Sequence, residues 1–183
     1  MTRSIIVYGS IAGLVVIAGM VAQIVLLGGH GGSSVWLGYL TMLVGLSLIF
    51  VAVKRYRDVE CGGVVRFLPA FLLGLGIAVA AGVAYVIGWE IYLAATHYAF
   101  MEEYTAGILE AKRAQGLAGP ALAAEAARLE TMKTQYDNPL FRLPMTFVEI
   151  FPVGLLIALV SAGLLRNPRF LPARQRSGAM SPG

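Results

Sequence analysis

Two carboxylates and a histidine stand where an apolar sequence gives them weight. Glu90 lies in GWEIYLAATHYAFMEEY, Gly88 to Tyr104, near the outgoing end of a long apolar run, and His97 follows it by seven residues. Glu149 lies in FVEIFP, Phe147 to Pro152, at the start of the last apolar run. An acid at the centre of a bilayer costs about 2.5–3.5 kcal/mol on insertion scales and so usually marks function. Four chemistries fit these residue types. Two carboxylates brought together raise one pKa and can act as acid and base. With His97 they are ligand types suited to zinc, although spacing over two segments specifies no metal geometry. They could also seat a proton, a small solute or a lipid headgroup. The plainest use is a polar latch, in which Glu90, Glu149, His97 and Arg142 pin an extramembrane segment to the bundle. No nucleophile elbow, phosphate loop or second histidine on that face accompanies them. The sequence therefore specifies no reaction, metal or cofactor.

The elements that position these residues follow from composition. Of 183 residues, 58% are hydrophobic and 13% charged, where a soluble domain carries roughly a quarter charged. Lipid is the expected solvent. The net charge is +4, but the bases cluster beside apolar runs, which is an orientation signal rather than a nucleic-acid footprint. The single cysteine, Cys61, excludes an internal disulfide.

Four spans are expected, at about 5–27, 35–53, 67–92 and 146–165. The first is too long for the apolar core of a signal peptide, ~7–15 residues, and reads as an uncleaved span. GGHGGSS, Gly28 to Ser34, is a polar connector in which His30 is a loop residue. Trp36 and Tyr39 start the second span at the level of an aromatic belt. Gly74, Ala78 and Gly82 make a small-residue stripe in the third span, and Gly154, Ala158 and Ala162 make one in the fourth, suited to close helix contact. Pro152 predicts a kink near Glu149.

Between the third and fourth spans, at about 96–144, apolar residues recur at helical spacing in two stretches. Phe100, Tyr104, Ile108 and Ala111 form one, and Leu122, Ala126, Leu129, Met132 and Tyr136 the other. Gly116 to Pro120 separates them, predicting an amphipathic helical hairpin. The fold class is thus an all-α integral membrane four-helix bundle carrying that hairpin. It forms one domain over 1–172, followed by a disordered tail at 173–183.

Nine bases fall at the amino terminus, in the loop after the second span and in the tail, against five in the hairpin. The positive-inside rule then places both termini and Cys61 in the cytoplasm and the hairpin outside. The basic loop, Lys54 to Arg66, could alternatively meet lipid headgroups or a partner.

Counting twenty residues back from Leu165 puts Glu149 only ~5 Å inside the outer boundary. Glu90 falls at or just past the end of its span, so both acids are expected in one outer layer. Gln23 in the first span and Tyr39 in the second lie at similar depth. Glu149 enjoys the positive end of its helix dipole, whereas Glu90 opposes a negative end and needs a partner. His97 and Arg142 stand seven residues from Glu90 and Glu149 respectively, on the same face if each helix is unbroken. Pro144 sets that continuity in question for Arg142. Glu149 lies roughly 140–220° around its helix from Gly154, Ala158 and Ala162, so stripe and acid use different faces.

WLGYLTMLVGLSLIFVAVKRYRD, GGVVRF, GWEIY and NPLFRLPMTFVEIFPVGLL, in that order, resemble the bacterial membrane proteins grouped as domain of unknown function 4199. The resemblance spans about Ser4 to Pro172. It implies a bacterial inner-membrane protein of four spans with a variable hairpin before the last. It implies no reaction, substrate or cofactor. The expected function is that of a non-enzymatic accessory or interaction protein, whose partners are membrane lipids and a membrane protein or a second copy of itself. The alternative is a small oligomeric transporter or sensor using Glu90 and Glu149.

Overall fold

The computed structural model describes residues 1–26 and 35–173. The connector at Gly28 to Ser34, with His30, and the tail from 174 onward lie outside the described residues. Six helices follow one another: α1 Thr2–Leu26, α2 Val35–Arg55, α3 Phe67–Ala95, α4 Phe100–Ala114, α5 Gly119–Asp137 and α6 Pro139–Leu165. A π-helical turn, Tyr56–Glu60, ends α2. Helices α1, α2 extended through this turn, α3 and α6 are each long and apolar enough to cross a membrane. The protein is an all-α, multi-pass membrane bundle.

In this bundle α3 packs on α1 and α6, and α2 packs on the same two helices from the other side. Small residues fix the register. A β-carbon added to Gly74 would stand 2.9 Å from that of Ala158, and one added to Gly154 would stand 2.9 Å from that of Ala78. The two expected stripes therefore pack on each other, antiparallel. A second stripe, Gly9 and Gly13 of α1, lies against Ala80, Ala81 and Ala84 of α3. Gly88 meets Ile17 further along, so α1 and α3 run parallel. At Gly13 an added β-carbon would come within 2.6 Å of the Ala81 carbonyl oxygen, leaving no room for any side chain. This contact has the same four-residue spacing as the others.

Each spanning helix runs past an expected bound, the fourth by the most. The third helix runs to Ala95 rather than about 92, and the fourth begins at Pro139 rather than near 146. Asn138 explains the early start of α6, because its side chain accepts from the Leu140 amide at 3.0 Å. Pro139 then occupies the first helical position, where a missing amide costs nothing. Pro144 removes a single bond near the exposed start, and the helix continues through both it and Pro152.

The hairpin of α4 and α5 forms where the two amphipathic stretches predict it. Gly116 (φ 90°) and Gly119 (φ 58°) supply the left-handed backbone of its turn. Met101 and Leu129 are its buried residues, and the helix ends around the turn are exposed.

Candidate functional site

The small-residue register places Glu90 of α3 opposite Arg142 of α6, and the two side chains join. Nε of Arg142 donates to Oε1 of Glu90 at 2.7 Å, and Nη2 donates to Oε2 at 2.8 Å. This is the bidentate fork that guanidinium and carboxylate form best. The remaining nitrogen, Nη1, donates to the Tyr136 carbonyl at 3.0 Å and the Asp137 carbonyl at 3.5 Å, where α5 ends. The rings of Tyr98 and Tyr136 lie 5.3 and 5.7 Å from the guanidinium carbon. Arg142 is 4% exposed and all three of its nitrogens have partners. It therefore ties α3, α6 and both ends of the hairpin together.

Aromatic residues seal the same junction. Trp89 donates its indole N–H to the Tyr136 hydroxyl at 2.7 Å and meets Phe100 edge-on at 4.7 Å between centroids. Tyr92 stacks on Trp89 at 5.2 Å. Burial pushes the Tyr136 phenol above its ordinary pKa, the Trp89 bond and Arg142 oppose this, and the carboxylates of Glu149 and Glu90 add to it. Both acids thus act electrostatically on one phenol, though they do not pair with each other.

The acids are not at one depth. With Gly74 opposite Ala158 and Ala78 opposite Gly154, Glu149 lies opposite Val83, seven residues or ~10 Å further toward the membrane centre than Glu90. Arg142 and Glu149 do share an unbroken helix, but the guanidinium turns to Glu90. Glu149 is exposed on the outside of the bundle and has no hydrogen bond or ion pair among the described residues.

His97 also stands apart. Helix α3 breaks before it, with Tyr98 N bonded to Leu93 O at 2.7 Å and His97 N to Ala94 O at 3.2 Å. This is the Schellman closure, and His97 (φ 52°) holds the left-handed position that glycine usually takes. The break turns His97 off the face of Glu90 and leaves it exposed. Gln23 bonds the Thr41 hydroxyl at 2.9 Å, linking α1 to α2. Tyr39, 51% exposed, takes no part in that link. Among the described residues no group of three or more His, Cys, Asp or Glu could hold a metal ion.

A second buried arginine was hidden in the basic loop. Arg57, 0% exposed, donates to the carbonyls of Phe170, at 2.8 Å, and Leu171, and to Asp58 at 2.7 Å. Asp58 also receives Lys54. In the sequence Arg57 reads, with Lys54 and Arg55, as an orientation charge. Nothing in the sequence sets it apart; the π-helical turn, with its extra residue, re-aims it.

Four packed apolar helices with a latched extramembrane hairpin define a multi-pass membrane protein rather than a soluble bundle. The chain belongs to the family described as Protein of unknown function (DUF4199), which matches residues 7–167 and contains all four sequence blocks quoted above. Comparison with curated proteins and with solved structures gives no match.

Proposed function

We propose that the protein is a non-enzymatic accessory or interaction protein of the inner membrane, with cytoplasmic termini and a periplasmic hairpin that meets a partner. The observation that carries this reading is the Glu90–Arg142 latch. It joins α3 to α6 and turns Arg142 so that its third nitrogen holds the end of α5, while the far ends of α4 and α5 remain exposed. An arm tied at its base suits docking better than a gate. The nine-to-five division of bases supports the orientation.

The test is the native mass of the protein released gently from its own membrane, for the wild type and Glu90→Gln. A wild-type complex with a stoichiometric polypeptide, lost in a Glu90→Gln protein that still folds, is expected. The same bare species in both would refute docking through the latched hairpin. A solute flux in reconstituted vesicles that depends on Glu90 would replace the reading with transport.

A further inference from the structure

The outward face of α6 combines features that a membrane helix normally avoids. Met145, Val148, Glu149, Pro152, Leu156 and Val160 are all exposed, and at 100° per residue they lie within about 120° of one another. Glu149 is the charged member and has no partner among the described residues. Pro152 has no amide to give the Val148 carbonyl one helical step away, so that carbonyl lacks its usual donor. That carbonyl points along the helix toward its C-terminal end and against the proline ring, so Glu149 alone stands on the apolar face as an acceptor without a donor among the described residues. Such a site calls for a ligand that brings donors and positive charge.

Depth selects the source. Glu149 lies sixteen residues from Leu165, so its backbone is ~24 Å from that end and ~5 Å inside the opposite boundary of a ~30 Å hydrocarbon layer. Side chains on a helix lean toward its amino terminus, which for α6 is the hairpin end. The carboxylate therefore reaches up to headgroup level. Below it Leu156, 61% exposed, and Val160 continue the face toward the membrane centre, where acyl chains would lie.

We propose that Glu149 seats the primary ammonium headgroup of a phospholipid, whose chains lie along Leu156 and Val160. A primary ammonium offers three N–H donors and a charge. A quaternary ammonium offers the charge without donors, and a glycerol headgroup offers donors without the charge. The site is separate from the latch and does not depend on the hairpin's partner.

The test reconstitutes the full chain in nanodiscs holding equal phosphatidylethanolamine, phosphatidylcholine and phosphatidylglycerol, and reads the lipids retained by native mass spectrometry. The wild type should retain phosphatidylethanolamine roughly tenfold over phosphatidylcholine, the worth of one charge-assisted hydrogen bond. Glu149→Gln should abolish that preference without changing the melting temperature, since the side chain has no partner among the described residues. Equal retention of the lipids by the wild type overturns the proposal, as does a preference that survives Glu149→Gln. A polypeptide held by the wild type and lost in Glu149→Gln, with no lipid preference, would assign the face to a protein and also overturn it.

Discussion

Arg142 at the hairpin end and Arg57 at the α2–α3 turn are both buried arginines, and each gathers two backbone carbonyls and one carboxylate. They differ in what the carboxylate links. For Arg142 it is Glu90, 52 residues away on another helix, held by two parallel bonds. For Arg57 it is the adjacent Asp58, shared with Lys54, and the distant partners are the carbonyls of Phe170 and Leu171. At the hairpin end charge joins separate elements. At the other end charge orients an arginine, and the backbone makes the join. Similar inventories of bonds therefore give different vulnerabilities.

The largest effect should come from Arg142→Met, which leaves Glu90, with a side chain 26% exposed, facing a junction without its cation. Removing one member of a buried pair costs about 3–5 kcal/mol, and partial exposure of Glu90 favours the lower end. Chemical unfolding in mild detergent should show this loss. The double variant with Glu90→Leu should be less unstable than the two single losses added, since no orphaned charge remains.

The two acids sharpen the contrast. Glu90→Gln should cost about 2 kcal/mol, because it removes charge from both bonds of the fork. Asp58→Asn should cost less than about 1 kcal/mol, because the carbonyls of residues 170 and 171 still hold Arg57. Equal losses in the same unfolding assay would mean that the two ends are built alike.

Smaller, and opposite in sign, is His97→Gly. His97 and Tyr98 (φ 57°) are both left-handed, and strain of this kind costs about 1 kcal/mol or more per residue. Glycine should raise stability by about half to one kcal/mol, because its own unfolded-state entropy takes back part of the relief. A loss would show that the imidazole contributes more than backbone shape.

The smallest effect belongs to the exposed pair Glu125–Arg128 on α5. The hydrogen bond from Arg128 holds the Glu125 carboxyl below its ordinary value of 4.5. A folded-state pKa depressed in this way adds stability that is present above that value and is lost as pH falls through the folded value. Wild type and Arg128→Gln should differ slightly in α5 exchange rates at pH 6 and converge in acid.

Much of the fold was legible because membranes impose simple patterns. Span length, the Gly74 and Gly154 stripes and the Gly116–Pro120 break each follow from local sequence. The site was legible in its members and not in its pairing. Arg142 was set beside Glu149 on α6 by spacing, but its actual partner, Glu90, depends on a helix register that only the packing of Gly74 on Ala158 fixes. Spacing puts His97 on Glu90's face only if the helix is continuous, and a Schellman closure without glycine gives no obvious signal. Arg57 resembles its neighbours in sequence and differs only after the π-helical turn re-aims it. Gly9 and Gly13 have the right spacing, but two glycines in an apolar span do not say which helix they meet.

The latch is tested most directly by amide hydrogen exchange on the full-length protein in nanodiscs, comparing wild type with Glu90→Gln. If Glu90 and Arg142 hold the hairpin to the bundle, exchange should rise at residues 96–104 and 130–140 together, while residues 70–85 of α3 stay protected. Unchanged exchange at both hairpin ends would show that the aromatic seal of Trp89, Phe100 and Tyr136 suffices, and would contradict the latch.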